Sequence, residues 1–203
     1  MKTLDYMNSS VFIKILTISI LLCLFHSLQA QTIYHVSNDG SDTNNGERWG
    51  EAFATLQYAL QIANPDSSDQ IWVAEGFYFP SREEGQINDN RVAAFRMKNN
   101  IAIYGGFIGN APDSFDLAAR NLHLHRSILS GDIDRDGILD SDNSYHVFFH
   151  DNNGLDSTAI LDGFVITNGN AEIGGTFPNT VGGGMCNNNV SPTIRNCVFE
   201  NNQ

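Results

Sequence analysis

The sequence predicts an all-β chain built as a solenoid and preceded by one helix, and three observations carry that expectation. The phrase TAILDGFVITNGN at Thr158–Asn170 returns as SPTIRNCVFENNQ at Ser191–Gln203, an offset of 33. Leu161 then meets Ile194, Phe164 meets Cys197, Val165 meets Val198, Ile166 meets Phe199 and Asn168 meets Asn201. A small β-rich unit recurring at a fixed interval buries its apolar face only by stacking on its neighbours. Short strands also follow one another without intervening helices, which excludes a doubly wound α/β fold and leaves sandwich, barrel or solenoid. The repeat decides for the solenoid, because stacked turns place the same residue type in the same slot. The third observation is the helix itself, placed where it can close an open sheet edge.

Met1–Ala30 reads as a signal peptide. Lys2 and Lys14 lie in its charged region, Ile15–Phe25 is an apolar run of secretory length, and Leu28-Gln29-Ala30 ends in a small residue. The run falls short of the roughly 20 apolar residues of a membrane span. Bulky Leu22 before Cys23 argues against a lipid-anchored start. Residues 31–203 are thus expected to be exported, with no membrane span, as the N-terminal portion of a β-helix domain that stops in mid-repeat.

Thr32–Val36 begins the folded part as a strand, and Ser37–Gly50 is a polar loop without apolar period. Ala52, Phe53, Leu56, Ala59, Leu60 and Ala63 then fall on one helical face. Asn64-Pro65 ends that helix, since the residue before proline is pushed out of the helical region. Strands are expected at Ile71–Val73 and Phe77–Phe79, split by Gly76, and at Ala93–Met97 and Ile101–Tyr104. They continue at Ser127–Leu129, Tyr145–Phe149, Ala159–Thr167 and Thr193–Phe199. With one strand per turn, Ile71, Ile101, Ile128, Leu161 and Ile194 start successive units at intervals of 30, 27, 33 and 33. Asn168, Asn201 and Asn202 after the strands suit left-handed turn geometry.

The net charge is −12, and loss of Lys2, Lys14 and Asp5 with the leader makes it −13. Such a surface repels nucleic acid and anionic lipid, whose binding needs clustered Lys and Arg. It suits an exported protein and one that holds cations. Two cysteines remain, Cys186 and Cys197. Export permits a disulfide, whereas the slot that Cys197 shares with Phe164 suits a buried thiol acting as a small hydrophobe. Neither has a histidine nearby in sequence to serve as a catalytic base.

Several stretches together resemble the N-terminal part of secreted bacterial right-handed parallel β-helix proteins, of the pectate-lyase-like or polymorphic-outer-membrane-protein-like type. They include Trp49-x-x-Ala52-Phe53-x-x-Leu56-Gln57-x-Ala59-Leu60, Ile71-Trp72-Val73-Ala74-x-Gly76-x-Tyr78 and Ile103-Tyr104-Gly105-Gly106-Phe107. Ile128-Leu129-Ser130-Gly131-Asp132-Ile133-Asp134, Asn143-Ser144-Tyr145-His146-Val147 and Leu161-Asp162-Gly163-Phe164-x-Ile166-Thr167 follow. Gly182-Gly183-Gly184-Met185 then runs into Ser191-Pro192-Thr193-Ile194-x-Asn196-Cys197. The resemblance implies a right-handed parallel β-helix (solenoid) with an N-terminal capping helix. It also implies a cell-surface or secreted location, with diverse functions.

The sharpest local motif is Asp132-x-Asp134-x-Asp136-Gly137-x-x-Asp140-x-Asp142. Alternating carboxylates on a short loop, with a glycine for the tight turn, can surround Ca²⁺ with oxygens. Asp132, Asp134, Asp136 and Asp140 are the candidate ligands, with the carbonyl of Ile138 beside them. Asn143 stands where a calcium loop of the helix–loop–helix kind has a bidentate Glu, and no helix-like sequence flanks the motif. A calcium loop and a plain acidic loop both remain open, and calcium here would stiffen the loop without doing chemistry.

No catalytic constellation is visible. Glycosidases need two carboxylates across a sugar, and Asp162, Glu172 and Glu200 lie in or near the repeat. Asp162 and Arg195 share one slot on successive turns, which reads as a surface ion pair. The Asn-Thr-Asp, paired Asp and Gly-His-Gly segments of β-helix polygalacturonases do not occur. A pectate-lyase-like site would find only Arg135 as a basic partner in the Asp132 loop. His123-x-His125 suggests two outward histidines on one strand, and Gly174-Gly175 and Gly182–Gly184 suggest tight corners. Trp49, Trp72, Tyr78 and Phe79 offer a sugar-stacking face, although Trp72 also fits packing inside or against the helix. The expected function is structural, adhesive or glycan-binding, with a polysaccharide or another cell surface as partner. The alternative is a polysaccharide lyase or glycoside hydrolase whose catalytic turns lie beyond residue 203.

Overall fold

Among the described residues every paired strand runs parallel to its neighbours. A computed structural model describes residues 30–81, 90–110, 116–171 and 176–203. The expected signal peptide, Glu172 and Gly174-Gly175 lie outside the described residues, apart from Ala30. Among the described residues eleven strands form: β1 (Ile33–Val36), β2 (Gln70–Ala74), β3 (Gly76–Tyr78), β4 (Ala102–Phe107), β5 (Ser127–Ser130), β6 (Phe148–Asp151), β7 (Ile160–Asp162), β8 (Phe164–Thr167), β9 (Met185–Asn188), β10 (Thr193–Arg195) and β11 (Val198–Glu200). Among the described residues the one α-helix is α1 (Leu56–Ile62), and the other helical pieces are short 3₁₀ turns. The protein is thus all-β with little helix, as the sequence predicts at that level.

Three parallel sheets share these strands, in the orders β1-β2-β4-β7-β10, β3-β5-β8-β11 and β6-β9. In each sheet the order follows the chain, so every return of the chain lies beside the previous one. Register fixes the contents of each column. Tyr34, Ile71, Ile103, Leu161 and Ile194 align in the first sheet, and Tyr78, Leu129, Ile166 and Phe199 in the second. Phe95, Phe148 and Met185 align in the third. Side chains alternate across a strand, so these columns meet in one apolar core. Ile71, Ile103, Phe148 and Leu161 are wholly buried in it, and the last pass, Ile194 and Cys197, packs against it half-covered.

The 33-residue alignment of the doubled phrase is the register observed, since Leu161 pairs with Ile194 and Ile166 with Phe199. The one-strand-per-turn spacing is corrected. Ile128 sits on β5 in the second sheet, between Phe77 and Val165. It does not follow Ile103, which pairs directly with Leu161. Spacing along the chain cannot tell two sheets apart, and the long segment between β4 and β7 holds β5 and β6 besides. Ala159–Thr167 divides at Gly163, whose φ of +89° turns the chain from one sheet to the next. Asn196 takes the same corner one pass later with φ +51°. Asn168 and Asn201 are left-handed as expected, with φ +59° and +52°. Asn202 instead uses its side chain, accepting from Gly169 N at 3.0 Å and donating to Ile166 O at 2.9 Å.

Two other strand expectations shift. Ala93–Met97 is reduced to one bridge at Phe95, and Tyr145–Phe149 becomes β6, Phe148–Asp151. The helix is shorter than its apolar face suggests, because Phe53 pairs with Val36 beside β1. Thr55 then caps α1 by accepting from Tyr58 N at 3.2 Å, which satisfies an otherwise orphaned donor. Leu56, Ala59 and Leu60 of α1 enter the core under β1 and β2. Gly169 and Gly183 permit the closest approach of successive passes, since a side-chain carbon on either would collide with the neighbouring backbone.

Candidate functional site

The acidic loop follows β5 directly, where the stacked sheet hands the chain to a turn. Asp132 is buried and accepts three backbone N–H groups, from Arg135 at 2.9 Å, Asp136 at 3.2 Å and Gly137 at 3.0 Å. That wraps the loop around one carboxylate and brings exposed Asp134 and Asp136 to it. Oxygens of Asp132, Asp134 and Asp136 lie within 4.8 Å of one another, a spacing that suits oxygens about 2.3–2.6 Å from one Ca²⁺. Asp140 is not in this group. It pairs with Asp142, and that hydrogen bond pushes the Asp142 carboxyl up to about 6 while holding Asp140 below the usual carboxylate range. Partial desolvation and the neighbouring Asp132 and Asp136 carboxyls raise Asp134. Asn143 is buried and structural, accepting from Asp140 N at 2.9 Å and donating to Asn168 O at 2.9 Å.

A cavity of about 360 Å³ opens beside this loop, between Pro80, Arg91, Ala93, Ile133, Asp134 and Asp142. Arg91 is committed to the fold: it donates to Asn143 O and Asn170 O, both at 2.8 Å, and lies 4.0 Å over the Tyr145 ring.

Asp162 is not a surface residue. It aligns with Arg195 as the doubled phrase requires, at a separation of 3.7 Å, yet it is only 5% exposed. Arg120 covers it, with Nη2 at 3.2 Å from Oδ1, and Asn196 donates to the same oxygen at 2.9 Å. Arg120 also donates to Gly105 O at 2.9 Å and lies 5.1 Å over Tyr104. Glu200, the other described carboxylate of that expectation, instead pairs with Arg126 at 2.8 Å near the surface. Both described carboxylates of that expectation are thus held in ion pairs.

His123 and His125 occupy a turn before β5 and share no strand; His125 Nδ1 meets Glu75 Oε2 at 2.8 Å. Two other histidines, His146 and His150, are buried. His150 is fully buried, receives Met97 N–H on Nε2 at 2.9 Å and has Nδ1 2.8 Å from Asn187 Oδ1. Burial pushes it down to about 4, and the same effect lowers His146. Cys186 and Cys197 are both free thiols, raised by burial, which removes thiolate nucleophilicity at neutral pH.

The expected aromatic face is redistributed. Trp72 points away from the main core and away from α1. It stacks on Phe107 at 4.7 Å beside Trp49, in a second cluster on the outer side of the first sheet. Tyr78 is buried. Phe79 is partly exposed at an open pocket that it lines together with Phe77, which sequence inspection did not select. Phe77 stands 53% exposed on the outer side of β3. Alternation along Phe77-Tyr78-Phe79 was the available signal, because a buried Tyr78 sends both neighbours outward.

Comparison with protein-family models, with curated proteins and with solved structures finds no match. Among the described residues no helix is long and apolar enough to cross a membrane.

Proposed function

We propose that residues 31–203 are successive rungs of a right-handed parallel β-helix closed at its N-terminal end by α1. In this reading the protein is exported, stays in the medium or at the outer cell surface, and serves as a structural or adhesive module that binds polysaccharide. The observation that carries the reading is the in-register parallel stacking of three sheets whose strand order follows the chain. Stacked strands stand about 4.8 Å apart, so such a body presents a stiff face to a long ligand with little ordering cost on binding. The leader-like Met1–Ala30 supports export, and the net charge of −12 favours uncharged partners over polyanions.

Retention of the purified protein on immobilised polysaccharides tests the binding role, and failure to bind any of them overturns it. Release of reducing ends or unsaturated sugars from those polysaccharides would replace the adhesive reading with the lyase or hydrolase one.

Within the same reading the Asp132 loop takes Ca²⁺ through Asp132, Asp134 and Asp136, and the ion stiffens the loop. Calcium at about 1 mM should then raise the melting temperature by about 3 °C for a site of roughly 0.1 mM affinity. Asp134→Ala should abolish that rise, and an unchanged wild-type melting temperature would dismiss the ion.

A further inference from the structure

We propose that the pocket walled by Phe77, Phe79 and Arg135 is a carbohydrate subsite that takes a neutral pyranose ring of a polysaccharide; the proposal rests on the glycan-binding reading above. The pocket measures about 480 Å³, with Asn38, Thr55 and Gly76 completing its wall, and it lies within the usual range for ligand sites, about 300–1,000 Å³. Phe77 and Phe79 leave the outer side of the same strand end with rings at 14° and centroids 6.4 Å apart. Their planes are nearly parallel, and Phe77 carries the more exposed ring of the two. A pyranose offers a face of C–H bonds with partial positive charge, and the π-face of an aromatic ring is negative. The exposed Phe77 ring therefore suits a sugar face better than it suits water.

Polar groups stand ready at the rim. Arg135 lies among carboxylates in sequence, yet its guanidinium turns away from them and sits 4.6 Å over the Phe79 ring. No ion pair of Arg135 occurs among the described residues, so its N–H donors face the pocket side of the loop uncommitted. The Asn38 side chain lies against the Cα of Gly76, where any added side-chain carbon would collide with its Nδ2. Gly76 thus keeps an amide, both donor and acceptor, at the pocket wall. An amide and a guanidinium beside an exposed aromatic ring match the alternating hydroxyls and C–H face of a hexose or pentose.

Charge selects the neutral class. The one cation at the pocket is outnumbered by Asp132, Asp134 and Asp136 on its own loop, and the whole chain carries −12. A uronate would be repelled on approach, whereas hydroxyls accept from Arg135 without that penalty.

Affinity electrophoresis of the purified full chain in gels containing a mixed-linkage β-glucan, a galactomannan, a xylan or polygalacturonate tests this. At least one neutral polymer should retard the wild type, and Phe77→Ala and Arg135→Ala should each weaken that retardation about tenfold. Both side chains are exposed, and an unchanged melting temperature would show that the variants fold. Retardation by a neutral polymer that both variants retain places the glycan elsewhere and overturns the subsite while sparing the glycan-binding function. Retardation by polygalacturonate alone overturns the neutral class, and retardation by none overturns subsite and function together.

Discussion

Asp162 owes its burial to Arg120, and the two residues show how a single charge is held in this fold. Removing the acid in Asp162→Ala strands a guanidinium whose side chain is only 11% exposed. Breaking such a pair costs about 3–5 kcal/mol, since the remaining charge has lost its partner but not its desolvation. Arg195→Ala removes the outer partner, 51% exposed and 3.7 Å away, and should cost less than about 1 kcal/mol. Thermal melts of the two variants should differ accordingly, by about 10 °C against about 2 °C; equal losses would mean that Arg195 carries the pair. The shared slot of Asp162 and Arg195 was readable by laying the doubled phrase over itself. Arg120 was not, because it comes from a segment without apolar period, 42 residues upstream. Sequence spacing registers what a strand repeats and is blind to what a loop lays over it. The acidic loop divides the same way: Asp132, Asp134 and Asp136 were legible as one group, whereas the Asp140–Asp142 pair depends on how the turn closes.

At the level of elements, α1 illustrates the competition between helix and strand pairing. Its apolar face was legible from Ala52 onward, but Phe53 gains more by pairing beside β1 and packing on Tyr58 at 5.0 Å. Thr55 then sets the start. Leu60 is 2% exposed under the sheet, so Leu60→Ala should cost about 2–5 kcal/mol through lost transfer energy and the cavity left behind. Ile62, 43% exposed on the same helix, should tolerate alanine within about 0.5 kcal/mol. Urea denaturation of both variants checks this, and comparable losses would place the helix off the core. Most strands were legible, but β9 at Met185–Asn188 was not expected and Ala93–Met97 forms only a bridge, and the assignment of strands to sheets was not legible at all. Ile128 looked like the start of a unit because an apolar pair opens it. The better signal was the pair itself, since Phe77-Tyr78, Ile128-Leu129, Val165-Ile166 and Val198-Phe199 each set an outward residue before an inward one.

For the whole molecule, pH acts mainly through the interior. Burial holds His150 at about 4 against an ordinary 6.5. Above 6.5 the imidazole is neutral in both folded and unfolded chains, so nothing is lost there. As pH falls from 6.5 towards 4 the unfolded chain takes the proton first, and stability drops, by about 2 kcal/mol at pH 5. Asp142, raised to about 6 from 3.8, acts in the opposite direction over the same window, because its folded form welcomes the proton. Urea midpoints between pH 7 and 5 should therefore fall, and fall more steeply in Asp142→Asn; a flat profile in Asp142→Asn would show that His150 gains a partner for its proton. The parallel stack also separates what must be conserved in length from what need not be. Strand columns tolerate no slip, since one residue turns every side chain to the other face, and Gly169 and Gly183 leave no room between passes. The turn at Val181, 49% exposed, carries no such constraint, and doubling a loop costs only about 0.6 kcal/mol. A foreign peptide spliced there should be carried by the stack as cargo, held out in water and accessible to an antibody.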